Sequence, residues 1–301
     1  MKRRKDFIEA HIIETTEYDP HFADGEIFCP HYFIPKGVSE VNAGTAKIGC
    51  GGCKWQMMSY PRQLELKQSL VEESFKKVTK THPISFLPII GSPLTQGYRN
   101  KIEFSFGVYK QQSPEYRERN KQQKINTSRR DGSLNCPNDT NEIIDNNNEM
   151  QQYTINNERG CGFHKQGEFS KIVDVENCGL ISEKANQIFE TLKKLCFESS
   201  LPVYDQKTHQ GFFRHLVLRE GVNTGQLMVN LSISPVLLSE AKNLKLWEEL
   251  LEKIKADPVL KGVITTFVIT YNEGLADTVK NEKSETKTFR GDGYIHETLS
   301  F

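Results

Sequence analysis

Phe212-Phe213-Arg214-His215-Leu216-Val217-Leu218-Arg219 and Gln226-Leu227-Met228-Val229-Asn230-Leu231-Ser232-Ile233 alternate, for most of their length, between apolar and polar or charged residues. A period of two puts successive side chains on opposite faces of an extended chain, so both runs read as strands. Gly221-Val222-Asn223-Thr224-Gly225 lies between them and supplies glycine and asparagine where a hairpin needs them. On this alternation Arg214 and His215 fall on opposite faces.

Upstream, Ser182 to Phe197 places Ala185, Ile188, Phe189, Leu192 and Leu195 on one helical face, with Ser182 suited to the N-cap. Gly162–Lys165 and Ile172–Val175 read as strands joined at Gln166-Gly167, and Ile102, Phe104, Phe106 and Val108 alternate as a half-buried strand. From Pro61, Leu64, Leu66, Leu70, Val71, Phe75 and Val78 recur near helical spacing, with His82-Pro83 as a stop, and this stripe is expected in the core. Downstream, Pro235–Ile254 reads as a helix, and Gly262–Thr270 and Leu275–Val279 as strands joined at Asn272-Glu273-Gly274. Runs of strands punctuated by helices, rather than strict alternation, predict an α+β fold: a mainly antiparallel β central domain with flanking helices.

The chain has 301 residues, and its 39 Lys and Arg balance its 39 Asp and Glu. At roughly 150 residues per domain, the length suits about two domains. A zero balance argues against a histone-like or ribosomal-tail protein, but leaves room for a local basic face. Residues 111–158 are rich in Gln, Asn, Ser, Arg and Asp, basic first and acidic later, and read as a disordered insertion. The remaining organisation is a tail over 1–27, a cysteine-rich segment over 28–60, and a central domain from 61–110 and 159–301. No apolar run approaches the roughly 20 residues that span a bilayer, and no membrane partner is expected. The basic tip Lys2-Arg3-Arg4-Lys5 has no apolar stretch behind it, so no secretory signal is expected. The odd count of 7 cysteines then fits a reducing compartment, and the cytoplasm is the expected location.

Gly49-Cys50-Gly51-Gly52-Cys53, with Cys29-Pro30-His31 upstream, brings two thiols to C-x-x-C spacing in a segment without its own apolar period. A structural zinc site, an iron–sulfur cluster and a redox pair all use that spacing. The redox reading is the weakest, because no βαβ pattern surrounds the pair. Among the remaining cysteines, Cys178 follows the strand-like Ile172-Val173-Asp174-Val175, whereas Cys136 sits in the insertion. Cys178 is therefore the better distal ligand. Tyr98-Arg99-Asn100-Lys101 offers an aromatic ring, a guanidinium and an ammonium just before a strand, groups that can stack a base and neutralise phosphates.

In sequence, Cys29-Pro-His-Tyr-Phe, Gly49-Cys50-Gly-Gly-Cys53-Lys-Trp-Gln, Tyr60-Pro-Arg-Gln-Leu-Glu-Leu-Lys67, Gly97-Tyr98-Arg99-Asn100-Lys101-Ile-Glu-Phe104, Gly162-Phe163-His164-Lys165, Ile172-Val-Asp-Val-Glu-Asn-Cys178 and Arg214-His215-Leu-Val-Leu-Arg219 resemble the RNA uracil-5-methyltransferases of the iron–sulfur, ribosomal RNA type. The resemblance spans about residues 28–301. It implies a [4Fe-4S] cluster held by Cys29, Cys50, Cys53 and Cys178, in a segment where Ile34–Lys47 is inserted between the first two ligands. It also implies S-adenosylmethionine as methyl donor in the complete enzyme. RNA, ribosomal rather than transfer, is the implied partner, and Tyr98, Arg99, Lys101, His164, Lys165, Arg214 and Arg219 are the implied contacts.

The family's Phe-Phe-Gln-x-Asn, Asp-x-x-x-Gly-x-Gly, Asp-Pro-Pro-Arg and Ser-Cys-Asn strings do not occur. The expectation is therefore a front part without the catalytic Rossmann-like domain, with no catalytic residue assigned and inactive alone. A separate catalytic half would then be among its partners. The alternatives are a non-enzymatic cluster-containing RNA-binding module and a zinc-stabilised interaction domain.

Overall fold

The hairpin over 212–233 lies at the centre of the sheet. The computed structural model of the protein describes residues 2–3, 8–9, 24–32, 49–82, 84–110 and 157–299. In chain order these give β1 (Lys2–Arg3), β2 (Ile8–Glu9), α1 (Tyr60–Thr79), β3 (Lys101–Lys110), β4 (Asn157–Lys165), β5 (Glu168–Asp174), α2 (Glu183–Glu198), β6 (Phe213–Gly221), β7 (Gln226–Ile233), a 3-10 turn (Pro235–Ser239), α3 (Ala241–Ala256), α4 (Pro258–Val263), β8 (Thr266–Tyr271) and β9 (Glu285–Arg290). A seven-stranded sheet runs in the order β5-β4-β3-β6-β7-β8-β9. β6 pairs antiparallel with β3 and with β7, in register from Glu220↔Leu227 through Leu216↔Leu231.

The sheet is mixed. β7 and β8 run parallel, with Met228 opposite Thr266 and Ile233 opposite Tyr271. Parallel neighbours need a crossover of a dozen or more residues, and the 3-10 turn, α3 and α4 supply it. This corrects the sequence expectation of a simple hairpin over 262–279. Thr266-Phe267-Val268-Ile269-Thr270 is buried on both faces, as strands beneath a crossover are, and Leu275–Val279 is a loop. β9 closes the edge instead, antiparallel to β8.

Helix α2 covers the sheet because its stripe is apolar and its start is capped: the Ser182 hydroxyl accepts from Ala185 N–H at 3.0 Å. Phe189 stacks on Phe104 of β3 at 3.9 Å between centroids, and Trp247 of α3 meets Phe212 at 5.2 Å. Each fully buried side chain of this size contributes roughly 1.5–3 kcal/mol of transfer free energy. The expected helix over 235–254 is broken, because Glu240 is extended between the 3-10 turn and α3.

The stripe Leu64 to Val78 is not core. No residue of α1 is buried among the described residues, and Leu70, Val71, Phe75 and Val78 are exposed. Its cover is thin: Phe86 meets Phe75 edge-on at 6.1 Å, and Gly91 lies against Leu64. The expected tail is described only at 2–3, 8–9 and 24–27, and the 111–158 insertion falls outside the described residues except at its end, in β4. No described helix is long and apolar enough to cross a membrane.

Candidate functional site

The C-x-x-C turn is sewn onto the end of β4. Cys50 N–H donates to His31 O at 2.7 Å, Gly51 N–H to His164 O at 2.9 Å, and Gln166 N–H to Gly49 O at 2.9 Å. A Cβ at Gly51 would stand 2.7 Å from the His164 carbonyl, so this approach requires glycine. Cys178 arrives from the opposite side, after β5. Asn186 of α2 holds it there: Oδ1 accepts from Cys178 N–H at 2.9 Å and Nδ2 donates to its carbonyl at 3.1 Å.

Cys29, Cys50, Cys53 and Cys178 are thereby brought near one another, and every pairing of the four is electrostatically coupled. Burial pushes the Cys50 thiol up to about 12 and the Cys178 thiol up to about 11, with the neighbouring thiols adding to both. Arg99 opposes the shift at Cys178. Left to themselves these groups stay protonated, and a cationic centre is what would make them thiolates. Among the described residues no three His, Cys, Asp or Glu side chains converge as a single ion would require. Gly52 N–H points at the Cys50 sulfur at 3.4 Å. Cys161 and Cys196 lie elsewhere, fully buried in the apolar core.

Tyr98-Arg99-Asn100-Lys101 is pinned beside this corner. Gly97 N–H donates to Gly179 O and Arg99 N–H to Leu180 O, at 2.9 and 2.8 Å. The strip separates two open cavities. One, of about 620 Å³, lies next to Cys53 and is lined by Trp55, Gln56, Tyr60, Lys67, Tyr98 and Arg99 among others. The other, of about 550 Å³, is bordered by Asn100, Lys101, Arg219, Met228 and Tyr294. Lys101 pairs with Glu103 at 2.6 Å, whereas exposed Arg219 has no side-chain partner among the described residues. Sequence reading did not single out Trp55, Gln56, Tyr60, Lys67 or Tyr294 as site residues. Trp55, Gln56, Tyr60 and Lys67 lie close together inside strings that carry the resemblance, yet no period or charge pattern marks them as lining a cavity, and Tyr294 is far away in the chain.

The remaining basic candidates have structural partners. Arg214 is 1% exposed. Its guanidinium donates to Asn272 O at 3.2 Å, to Gly274 O, and to Ala276 O at 2.7 Å, and it lies 4.2 Å over the Tyr204 ring. It thereby fixes the loop that carries Asp277. His164 Nε2 meets Asp277 Oδ2 at 2.6 Å, and His215 Nε2 stands 3.4 Å from Asp277 Oδ1 without hydrogen-bond geometry. A bulge between Phe213 and His215 breaks the strict alternation of β6, so both Arg214 and His215 feel this carboxylate. The hydrogen bond to Asp277 raises His164, while burial lowers His215 to about 4. Lys165 pairs with Glu168 at 2.5 Å.

No family model matches the chain. Curated proteins do. An uncharacterized RNA methyltransferase of Bacteroides thetaiotaomicron is 27% identical over 300 residues, covering 99% of this chain and 53% of that protein. One from Clostridium tetani is 28% identical over 298 residues, covering 99% and 50%. One from Caldanaerobacter subterraneus is 26% identical over 298 residues, again covering 99% and 50%. The likeness is to RNA methyltransferases. The chain spans about half the length of these relatives. A solved structure of Pyrococcus abyssi tRNA (uracil-54, C5)-methyltransferase with S-adenosyl-L-homocysteine aligns with a TM-score of 0.47 and 20% identity, over 84% of this chain and 44% of that one.

These findings correct the expectation of a mainly antiparallel front part from which the methyltransferase fold is missing. The sheet is mixed, with a parallel crossover, and proteins named RNA methyltransferases match along 99% of this chain. A description of the chain as a lacking half, inactive by itself, is therefore not retained, nor are the non-enzymatic and zinc-domain alternatives to it.

Proposed function

We propose that this chain serves an S-adenosylmethionine-dependent RNA methyltransferase acting at uracil C5, with Cys29, Cys50, Cys53 and Cys178 holding a [4Fe-4S] cluster. The observation that carries the reading is the similarity to RNA methyltransferases along 99% of the chain. The choice of uracil C5 rests on the ordered strings from Cys29 to Arg219 that resemble that family.

The cluster fits the residues present. Four thiols from three parts of the chain lie within electrostatic range of one another, two of them buried with strongly raised affinity for protons, and Gly52 supplies an N–H to one sulfur. Four thiolates suit a cluster, which spreads its ligands further than one ion does. When bound, such a group cross-links residues 28–60 to the β5–α2 connection and supplies the charge that the thiols lack. No residue of this chain is assigned to the methyl donor.

The chain's own residues do the holding. Tyr98, Arg99, Lys101, Lys165 and Arg219 bind RNA, while Arg214 and His164 fix the Asp277 loop behind them. The RNA is ribosomal, the compartment cytoplasmic, and the RNA-binding domain comprises 61–110 and 159–301. The test is nucleoside mass spectrometry of ribosomal and transfer RNA from cells with and without the gene. Loss of one 5-methyluridine from ribosomal RNA is expected. A 5-methyluridine lost from transfer RNA instead would change the RNA class, and unchanged profiles in both would overturn the reading.

A further inference from the structure

Gln56 holds Cys29 at two atoms. The side chain is 8% exposed, and its Oε1 accepts from Cys29 N–H at 3.2 Å. Its Nε2 meets the Cys29 sulfur and has no nitrogen or oxygen partner among the described residues. The amide cannot be turned round, because a backbone N–H needs its carbonyl end. Burial raises the Cys29 thiol, and the N–H groups of His31 and Tyr32 and the Gln56 amide pull it back. A neutral thiol is a weak acceptor, so this buried donor is poorly satisfied while Cys29 keeps its proton. A thiolate is a charged acceptor, to which hydrogen bonds are roughly twice as strong. The donor is therefore completed when Cys29 becomes a ligand. The other corners are built differently. Cys50 receives the Gly52 N–H and Cys178 the Leu180 N–H, both from the backbone. At Cys29 a side-chain amide does this, with the His31 ring further off at 3.9 Å.

Building on the proposed cluster, we infer that Gln56 is a positioning residue for it: the amide carbonyl orients the Cys29 backbone, and the amide N–H bonds the ligating Cys29 sulfur and keeps it on its iron. Partners behind a ligand orient it, and hydrogen bonds to the sulfurs are among the features that tune such clusters. Cys29 is the ligand where this matters. It is half-buried, whereas Cys50 and Cys178 are buried, so water and competing ligands reach its side of the corner more easily.

The test uses the full chain, purified anaerobically, beside Gln56→Leu and Gln56→Glu. Other bonds join the two segments without Gln56: Cys50 N–H to His31 O at 2.7 Å, the Tyr32 hydroxyl to Lys54 O at 2.7 Å, and Gly25 N–H to Met57 O at 2.9 Å. Both variants should therefore fold, as circular dichroism checks. Gln56→Glu keeps an acceptor for Cys29 N–H and sets a carboxylate against the sulfur in place of the donor. Iron transfer to a chelator under argon should be about tenfold faster in Gln56→Leu, the lower end of what a hydrogen bond to a charged group contributes. It should be faster still in Gln56→Glu. A folded variant that loads no iron counts as the same loss. The Fe–S stretches in resonance Raman spectra should shift less in heavy water in both variants, because an exchangeable N–H on sulfur is gone. A Gln56 that only braced the backbone would leave Gln56→Glu close to the unmodified protein and the deuterium shift unaltered. Either result would overturn the inference while the cluster stood. Unmodified protein without iron and acid-labile sulfide would sink the cluster reading, and this inference with it.

Discussion

Asn186 grips the backbone of Cys178 from both sides, accepting from its N–H at 2.9 Å and donating to its carbonyl at 3.1 Å. Both residues are buried, so neither group finds water if the amide is lost. Asn186→Ala therefore strands two backbone groups, each costing about 1–3 kcal/mol. Urea titration should show a loss of several kcal/mol in all. Asn186→Asp keeps the acceptor and should lose about half as much. Iron bound per chain should fall in the same order, because the amide is what holds Cys178 at the corner.

The four cysteines of that corner and the two of the core make opposite predictions. Cys50→Ser or Cys178→Ser should remove the iron and acid-labile sulfide of anaerobically purified protein. Cys196→Ala, in a wholly buried apolar site, should lower thermal stability and leave both intact. Retention of the full iron content by Cys178→Ser would refute the ligand set.

Much of this was written in local sequence, and some could not have been. The β6–β7 hairpin, the Ser182 cap and the C-x-x-C turn are short-range features, so periodicity and turn chemistry reveal them. The parallel pairing of β8 is decided by what the crossover helices bury, which no window of a few residues contains. The α1 stripe looked like core because its spacing is helical, yet spacing does not say whether a partner surface exists. Cys178 is picked out as the distal ligand by the strand that precedes it, and the family resemblance implies the same residue. The Arg214–Asp277 arrangement is picked out by neither, because it needs a bulge in β6 and a loop from beyond β8.

That arrangement sets a pH dependence with two limbs. Its hydrogen bond to Asp277 raises His164, so the pair's contribution is complete below the ordinary histidine value of 6.5 and is lost as pH rises through the raised value. Burial opposes ionisation of Asp277, but the His164 hydrogen bond and the two histidine charges win and lower it, so the carboxylate's share persists until strongly acid pH. Burial lowers His215 to about 4, so its contribution is present above 6.5 and is lost as pH falls toward 4. Urea titrations across pH should show His164→Gln flattening the limb above 6.5 and His215→Asn flattening the limb below it. A variant pair that exchanges these limbs would contradict the assigned contacts.

Arg219 and Arg214 sit five residues apart on β6 and should behave in opposite ways toward RNA. Arg219 is exposed at the mouth of the second cavity, with no side-chain partner among the described residues. A guanidinium in that position neutralises a phosphate and releases a counterion. Arg219→Ala should therefore weaken binding of all sequences alike and reduce the salt slope of single-stranded RNA binding by about 0.7. Arg214 is already occupied by three carbonyls, and burial holds its own ionisation below the ordinary arginine value. Arg214→Lys cannot serve those carbonyls as a planar fork does, so it should destabilise the fold while leaving the slope unchanged. A slope that falls with Arg214→Lys and not with Arg219→Ala would move the RNA path away from the second cavity.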